Sequence, residues 1–571
     1  MKNFFIILVL LVVSTINLFP QKQGDAYRLF INNIDMPLNR TGVIAQVNIP
    51  PNDPGGKFND TTFLFSAGFF LSGYSNGQLW ANAVAPASLV EDYTRGRATP
   101  QAGDDAQMYV LNSQDPDFGP SWQDWIDAVA LGADFYDGNG DDIYNPVDLN
   151  GNGTWDTDED RPDLLGDETV WCVYNDGLPQ AQRRWDTVPP YGIEIRQTVF
   201  AYASAGAIGN LLFLRYRFKY VGLGNPNEPD KMTDVYFGVW ADPDLGDFQD
   251  DVAGSDVPRN AGYTYQNIPD AQYGNQPPCF MIDFLSGPVA YIPGETFIDI
   301  DGDGNYTPGI DTPLDTAYSV RGQVIGIEEF PGAKNLPISS FVLYINGDPN
   351  LRDPNNKEEA RNYMLGFDRI GIAPDPCTFQ YGEVRGGVDC TTVDPKFWFS
   401  GDPVTDVGWI ATINLDVRQM TNTGPFELVK NEENEIVVAY VIGQGTSPLD
   451  AITVAREIDD TAQIIFDRNL IITGVDLEDN LSLPVEYSLS QNYPNPFNPT
   501  TTINYQIPEI SFVTLKIYDV LGNEITTLVN EEKPSGYYEI GFNASSLASG
   551  IYFYSLQTGS FVQTKKMVLM K

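Results

Sequence analysis

An acidic stretch near residue 150 constrains the fold of this chain more than any other feature. Between Asp134 and Glu168 the sequence carries twelve acidic residues and a single Arg. Such a run repels itself and would ordinarily be a solvated, disordered segment. Its acids and amides nevertheless alternate at regular spacing, which is typical of loops that offer several oxygens to Ca²⁺. The run therefore predicts ordered calcium loops.

The best match to a twelve-residue calcium loop is residues 148–159. Gly153 stands at position 6, where the sharp turn favours glycine. Thr154 would offer its carbonyl oxygen, and the final Glu can supply two oxygens at once. The predicted ligands at positions 1, 3, 5, 7, 9 and 12 are Asp148, Asn150, Asn152, Thr154, Asp156 and Glu159.

Two further segments match the same spacing less well. In the upstream loop, position 6 is Asp142, and Asp148 would serve as position 12, so that the two loops share it. The other predicted ligands of the upstream loop are Asp137, Asn139, Asp141 and Ile143. The third loop has Asp299, Asp301, Asp303 and Asn305 at positions 1, 3, 5 and 7, and its closing acid Asp311 falls at position 13.

Pro146, Pro162 and Pro308 lie close to these segments, so long flanking helices are not expected. The loops resemble the helix-free calcium loops of thrombospondin-type and other secreted bacterial modules. A fourth acidic cluster, formed by residues 242–247 with Asp250, Asp251 and Asp256, has no standard spacing. For this cluster an acidic surface loop and a calcium site both remain open.

The N-terminus has the pattern of a secretory signal peptide. Lys2 precedes an uncharged apolar run, residues 4–13, which is followed by the polar residues Ser14, Thr15 and Asn17. We expect residues 1–20 to act as the signal peptide, with cleavage between about residues 19 and 26. The apolar run is too short to span a bilayer and no later stretch is longer, so no transmembrane span is expected.

The last 85 residues differ in composition from the rest of the chain. Residues 487–571 carry six acids and five lysines, whereas residues 21–486 carry 71 acids and 27 basic residues. This change predicts an acidic body at 21–470, a linker at 471–486 and a separate C-terminal domain at 487–571. Short β-branched and aromatic runs separated by turn residues predict six strands in this domain, which are 503–507, 512–520, 524–529, 537–542, 551–557 and 561–570.

Four sequence signatures occur in order within the C-terminal domain. They are the segment NYPNPFNPTT at 492–501, LGNE at 521–524, LASGIY at 547–552 and KKMV at 565–568. Together they resemble the type A C-terminal sorting domain of the type IX secretion system. The resemblance implies an immunoglobulin-like β-sandwich, the type IX secretion machinery as a partner, and passage through the outer membrane of a Gram-negative bacterium. Surface attachment or release would follow, often with removal of the domain.

Outside the acidic loops, the sequence of the body predicts mainly β-strands. Predicted strands are 63–71, 192–202, 211–221, 234–240, 339–346, 409–417 and 435–442, and the chain holds 52 Gly and 41 Pro. Two helices are predicted at 121–131 and 448–467, both as covers packed on sheets. The fold class is therefore mainly β, with a sandwich-rich body, calcium loops and two cover helices, and possibly two or more subdomains.

Charge and residue usage exclude several function classes. The formal net charge of −44 would repel nucleic acids, and the absence of His excludes Ser-His-Asp and Cys-His catalysis. A hydrolase with two carboxylates remains possible, as in glycosidases, but 77 acids leave the pair unidentified. Glu194 and Arg196 share a strand face and are expected to form a structural ion pair.

The four cysteines of an exported chain predict two disulfides. We favour Cys377–Cys390, which closes a short Gly-rich loop, and this choice leaves Cys172 with Cys279. The predicted function is that of a secreted or cell-surface calcium-binding protein of structural or adhesive type, with surface polysaccharide or other envelope components as possible partners. The alternative is a secreted polysaccharide hydrolase.

Overall fold

The computed structural model describes residues 24–472 and 487–570, apart from 50–53, 85–91, 186, 205, 346, 490, 491, 493, 494, 496, 508–510, 521, 534, 535, 546, 559 and 560. The predicted signal peptide and residues 473–486 of the predicted linker lie outside the described residues. The described chain divides into two compact units between Ile471 and Ile472. We refer to them as the body and the tail.

The described part of the body contains 27 strands and three helices. The helices are α1 Pro120–Ala130, α2 Lys357–Met364 and α3 Asp450–Asp467. The strands are β1 Ala26–Leu29, β2 Ile34–Asn39, β3 Gly56–Phe58, β4 Thr61–Ser75, β5 Gln78–Val84, β6 Thr94–Arg95, β7 Tyr109–Asn112, β8 Phe135–Tyr136, β9 Arg161–Pro162, β10 Glu168–Asn175, β11 Ile193–Ala201, β12 Leu211–Tyr220, β13 Lys231–Pro243, β14 Val252–Asp256, β15 Ala261–Tyr265, β16 Cys279–Ser286, β17 Val289–Ala290, β18 Phe297–Ile298, β19 Thr312–Pro313, β20 Thr316–Val320, β21 Ile327–Pro331, β22 Lys334–Asn335, β23 Ile338–Ile345, β24 Gly382–Arg385, β25 Gly408–Ala411, β26 Val417–Val429 and β27 Glu433–Gly443.

Two large antiparallel sheets form the frame of the body. The first has eight strands in the order β1-β2-β3-β4-β13-β26-β23, with β5 paired to β4. The second has nine strands in the order β14-β15-β16-β27-β12-β11-β10-β6, with β7 paired to β10. Because sequence-distant strands such as β12 and β27 are neighbours, the body folds as one interleaved unit rather than as a chain of subdomains.

Aromatic side chains from the inner faces of the two sheets fill the space between them. Phe69 of β4 contacts Tyr216 of β12 at a centroid distance of 5.5 Å, and Phe237 of β13 contacts Phe218 of β12 at 5.0 Å. Their alternation with polar residues such as Arg215 and Arg217 on β12 places the aromatic rings in the core and the charges on the opposite face. The body is therefore a β-sandwich.

Both predicted helices are present. Trp122 and Trp125 are buried on α1, where Trp125 contacts Trp171 of β10 at 6.2 Å. On α3 the buried face includes Ile452, Ala455 and Ile458. The third helix, α2, was not predicted, because its eight residues are too few for a hydrophobic period to stand out, although Asn356 caps it by accepting from the Glu359 amide at 2.8 Å.

The strand predictions match the observed strands except at 409–417. That segment is divided between β25 and the start of β26, with Thr412, Ile413 and Asn414 outside any strand. Ile413 is exposed there. The hydrophobic run is continuous in sequence, but within it the chain leaves the two-stranded sheet of β24 and β25 and enters the eight-stranded sheet.

The tail is a second, smaller β-sandwich. Its strands are β28 Ser488–Leu489, β29 Thr500–Ile507, β30 Ser511–Tyr518, β31 Glu524–Lys533, β32 Gly536–Asn543, β33 Gly550–Thr558 and β34 Phe561–Leu569. They form a three-stranded sheet, β28-β29-β32, and a four-stranded sheet, β31-β30-β33-β34. Ile503 and Tyr505 from one sheet share a buried core with Leu515 and Tyr554 from the other. The predicted sandwich of the sorting domain is therefore present.

Candidate metal centres

Residues 137–160 form a double loop that is closed at its base by a short antiparallel pair. Strand β8 pairs with β9, so that Tyr136 lies opposite Arg161 and the chain enters and leaves the double loop at one place. Trp155 packs edge-on against Tyr136 at 5.6 Å, and the Arg161 guanidinium lies over the Trp155 ring at 5.1 Å. These contacts make the acidic run an ordered unit.

In the downstream loop the predicted ligands converge. The Asp148 carboxylate accepts hydrogen bonds from the backbone amides of Gly151, Asn152 and Gly153 at 2.6, 3.2 and 2.8 Å. The side-chain amides of Asn150 and Asn152 both donate to Asp156 Oδ2, at 2.6 and 2.8 Å. The Thr154 amide donates to Asn152 Oδ1 at 2.7 Å.

Glu159 closes the downstream loop. Its Oε1 accepts from the Leu149 amide at 2.6 Å and its Oε2 from the Asp156 amide at 3.0 Å. These amides belong to positions 2 and 9 of the loop, so one carboxylate joins the two ends. The side chain is 1% exposed.

The Asp160 carboxylate, and not that of Asp148, joins the backbone amides at the two ends of the upstream loop, and the sharing of Asp148 between the two loops stays a prediction. Asp160 accepts from the Gly138 amide at 3.2 Å and the Asn145 amide at 2.7 Å, again positions 2 and 9, and it is 1% exposed. Asp148 bonds within its own loop. The register of β8 and β9 brings Asp160 back to the start of the upstream loop, a return that spacing alone could not reveal.

The remaining predicted ligands of the upstream loop follow the same arrangement as in the downstream loop. Asp137 accepts from the amides of Gly140, Asp141 and Asp142 at 2.7, 3.2 and 2.8 Å. Asn139 Oδ1 accepts from the Asp141 amide at 2.9 Å, and Asp141 Oδ1 accepts from the amide of Ile143, also at 2.9 Å.

The third loop, residues 299–311, lies between the paired strands β18 and β19. Asp311 accepts from the Ile300 amide at 2.8 Å and the Thr307 amide at 2.7 Å, the amides of positions 2 and 9 once more. It is 6% exposed. The extra residue before the closing acid therefore does not change the closure.

The first acids of the third loop also approach each other. Carboxylate oxygens of Asp299, Asp301 and Asp303 lie within 4.8 Å of one another, close enough to hold one ion, and the Asn305 amide donates to Asp303 Oδ1 at 2.7 Å. Burial and the neighbouring Asp303 raise the pKa of Asp301. This crowding of like charges favours a cation.

The three closing acids share one electrostatic feature. Among the residues that the structure describes, none of Glu159, Asp160 and Asp311 forms an ion pair with Lys or Arg. Backbone amides hold their geometry but supply no full positive charge, and a buried carboxylate is costly without one. Backbone hydrogen bonds meanwhile lower the pKa of Asp137 and Asp148. The loops thus concentrate ionised oxygens of the type that Ca²⁺ binds.

Another group of acids is paired with arginines on the outer face of the nine-stranded sheet, and we call it the arginine layer. Arg217 lies 2.5 Å from Asp134 and 2.8 Å from Glu435, and Arg215 pairs with Asp163. The predicted Glu194–Arg196 pair is present at 3.2 Å. Although burial opposes ionisation, the guanidinium of Arg217, with those of Arg215 and Arg321, lowers the pKa of Asp134 to about 2.

A cavity of about 810 Å³ lies beside this layer and is lined by Lys219, Arg321, Glu328 and Glu433, among other residues. The Glu433 carboxylate pairs with Arg196 and lies 3.6 Å from the Lys219 amine. These ion pairs give Glu433 a structural role. The polysaccharide hydrolase therefore stays a prediction without a specific pair.

The cysteines divide into one bonded pair and two thiols. Cys377 and Cys390 form the predicted disulfide. Cys172 and Cys279 are not bonded to each other, so that part of the prediction is wrong. Both are buried in the nine-stranded sheet, on β10 and β16, with β11, β12 and β27 between them. Four strand spacings amount to about 19 Å, far beyond the reach of a disulfide.

Comparison with known proteins identifies the tail. Residues 491–570 match the family model described as a secretion system C-terminal sorting domain. This domain marks the protein for export to the cell surface or the medium and implies interaction with the type IX secretion machinery. Within the described residues, no helix is both long and apolar enough to cross a membrane. A search of curated protein sequences returned no match.

Three of the solved structures found for the chain illustrate the level of similarity. A polysaccharide lyase is 6% identical with a TM-score of 0.23, over 95% of this chain and 47% of the lyase. Dimeric latent PorU from Porphyromonas gingivalis is 10% identical with a TM-score of 0.13, over 71% of this chain and 32% of PorU. PorZ, a surface component of the type IX secretion system of the same organism, is 10% identical with a TM-score of 0.14, over 95% of this chain and 75% of PorZ. The chain spans about half the length of the lyase and a third of PorU, and all three TM-scores are too low for a shared fold.

Proposed function

We propose that this protein is a calcium-stabilised structural or adhesive protein, which acts at the cell surface or in the surrounding medium. The observation that carries the proposal is the repeated closure of the three loops. In each loop a buried carboxylate joins the amides of positions 2 and 9, and no basic side chain among the described residues neutralises it.

Calcium fits the donor set that these loops present. The upstream ion would be held by Asp137, Asn139, Asp141, the Ile143 carbonyl and Asp160, and the downstream ion by Asp148, Asn150, Asn152, the Thr154 carbonyl, Asp156 and Glu159. Asp299, Asp301, Asp303, Asn305 and Asp311 would hold the third ion. A bound divalent ion would supply the positive charge that the loops lack, and the loop residues would position it through their backbone hydrogen bonds.

An adhesive or structural role is consistent with where the protein goes. Extracellular calcium modules bind with a Kd of about 10⁻⁴ to 10⁻³ M, so millimolar calcium outside the cell would fill them. A body stiffened in this way would resist unfolding and proteolysis. Surface polysaccharides or other envelope components are the proposed partners.

Removing calcium tests the proposal directly. At a tenfold excess of calcium over Kd, each filled loop should stabilise the body by about 1.4 kcal/mol. Unfolding in urea and limited proteolysis of the full secreted chain should be compared in calcium, in EDTA and in EDTA with excess magnesium. We expect EDTA to lower the stability and to open residues 137–160 to proteases, and magnesium to restore little. Equal stability and equal cleavage in calcium and EDTA would refute the proposal.

Binding of the protein to the cell surface is tested in a separate experiment. Binding of the labelled full chain to the producing cell's own surface polysaccharide should require calcium and should be lost in EDTA. A chain without residues 487–571 should stay in the periplasm, which cell fractionation would detect. Truncated protein on the cell surface would contradict the assigned role of the tail, and calcium-independent attachment would contradict the role of the loops.

A further inference from the structure

The fourth acidic cluster is partly buried. It begins at the end of β13, continues through residues 244–251 and is joined by Gln266 and Asp270 from beyond β15. Asp242, Asp251 and Asp270 are buried. The Asp270 carboxylate accepts from the amides of Asp247 and Gln272 at 2.9 and 2.6 Å, which orders the loop.

At the centre of this cluster lies the side-chain amide of Gln266, which is 0% exposed. Its Nε2 donates to the Leu245 carbonyl at 3.0 Å, to Asp250 Oδ1 and to Asp251 Oδ1 at 3.4 Å. Three acceptor oxygens therefore surround one nitrogen. Gln266 Oε1 is buried and accepts no hydrogen bond from any described residue. A buried amide oxygen without a donor is unfavourable, so this arrangement needs a reason.

The acids around Gln266 also lack a cation. Arg418 is the neighbouring basic residue, and it lies 3.1 Å from Asp242 and 3.8 Å from Asp416. Within the described structure, neither Asp250 nor Asp251 forms an ion pair. No described basic side chain therefore neutralises these two carboxylates.

We propose that Asp250, Asp251, Gln266 and the Leu245 carbonyl form a fourth divalent-cation site, suited to calcium. The two ends of an amide have nearly the same shape, so a half-turn of Gln266 would exchange Nε2 for Oε1. Four oxygens would then face one point and Oε1 would gain the ion as a partner, while Nε2 would leave its three acceptors for the position that Oε1 holds now. Mixed carboxylate, amide and carbonyl ligands completed by water match calcium better than magnesium, which demands near-ideal octahedral geometry.

This site is independent of the three loops, so it can be tested after they are disabled. The triple variant Asp137→Asn, Asp148→Asn and Asp299→Asn removes the first acid of each loop from the full chain. With calcium alone as the probe, equilibrium dialysis and elemental analysis should find one ion per chain in this variant. Adding Asp250→Asn and Asp251→Asn should remove that ion. If the triple variant does not fold, the same two substitutions in the otherwise native chain should lower the calcium content by one ion.

Two single variants distinguish a specific calcium site from non-specific attraction of calcium to nearby acidic residues. Gln266→Glu adds a carboxylate where Oε1 would coordinate, so it should lower stability in EDTA and bind calcium several-fold more tightly. Asp244→Asn removes a nearby charge that does not contact Gln266, and it should leave the bound ion in place. The proposal is overturned if the triple variant holds no calcium, if Asp244→Asn removes the ion as Asp251→Asn does, or if Gln266→Glu weakens calcium binding.

Discussion

The arginine layer and the double loop treat their acidic side chains in opposite ways. In the arginine layer, Asp134 and Glu435 are ion-paired with Arg217 from the neighbouring strand β12. In the double loop, Glu159 and Asp160 are more deeply buried, but their carboxylates accept hydrogen bonds only from backbone amides among the described residues. Residues 21–486 carry 71 acids and 27 basic residues, so most of these carboxylates have no basic side chain of the chain to pair with. In the arginine layer the chain itself supplies the positive charge, whereas in the double loop a bound cation would have to supply it.

The largest loss of stability is expected when one partner of an ion pair in the arginine layer is removed. Arg217→Met leaves the largely buried Glu435 with the Ser319 hydroxyl, 2.7 Å away, in place of the Arg217 guanidinium. We expect a loss of about 3–5 kcal/mol in the free energy of unfolding, measured by urea denaturation. The loss should be the same in calcium and in EDTA. A calcium-dependent loss would mean that the two regions are one electrostatic system.

Arg385→Met is the matched control. Arg385 pairs with Glu383 and Asp406 at 3.1 and 2.8 Å, but all three side chains are exposed. Exposed pairs contribute about 0–1 kcal/mol, so this variant should unfold almost like the native protein.

The double loop should be most sensitive at Gly138. A Cβ at this residue would lie 2.5 Å from the Glu159 backbone nitrogen, so the two loops could not pack together. Gly138→Ala should cost about 1–3 kcal/mol, as overpacking does, and should reduce bound calcium. Gly140→Asn is the control, since Gly140 has a positive φ that Asn tolerates and open space beside it. Equal effects of the two variants would show that the contact with Glu159 is unimportant.

The acidic ligands of the two loops should act one loop at a time. Asp160→Asn should remove calcium from the upstream loop and Asp148→Asn from the downstream loop, each costing about 1.4 kcal/mol at tenfold calcium over Kd. The measurements are calcium stoichiometry and urea unfolding with and without EDTA. In EDTA both variants should be nearly as stable as the native chain. Loss of two ions from Asp148→Asn would show that Asp148 is a ligand in both loops.

The smallest expected effect is a pH dependence of the free energy of unfolding. Its sign should differ between Asp134, which is well paired, and Asp242, which is poorly paired. Because the pKa of Asp134 is lowered to about 2, its stabilising contribution is present above about pH 4 and is lost as the pH falls toward 2. Burial raises the pKa of Asp242 to about 7, so this residue lowers stability as the pH rises from about 4 to about 7.

Asp242→Asn tests this second sign in EDTA. The variant should recover on the order of 1 kcal/mol at pH 7 relative to pH 4, compared with the native chain. Urea unfolding at both pH values measures the difference. An identical pH dependence in the two proteins would show that Arg418 neutralises Asp242 fully.

Several features of the fold follow from local sequence. Alternating strands such as 192–202 and 211–221, the Trp-rich helix α1 and six of the seven tail strands were predicted, because each repeats a period that burial on one face imposes. The positions 1, 3 and 5 of the calcium loops are equally local, since Asp148 reaches its amide partners within five residues. The Cys377–Cys390 disulfide is also a short-range contact.

Other features depend on which distant strands become neighbours. Asp160 closes the upstream loop only because β8 pairs with β9, and Cys172 is separated from Cys279 because three strands are inserted between theirs. The Gln266 amide meets Asp250 and Asp251 because β14 and β15 form a hairpin. Side-chain types and short-range hydrogen bonds are thus determined by the sequence itself. Burial, charge pairing and the choice of closing acid were decided by the tertiary structure, because each depends on groups brought together by sheet register.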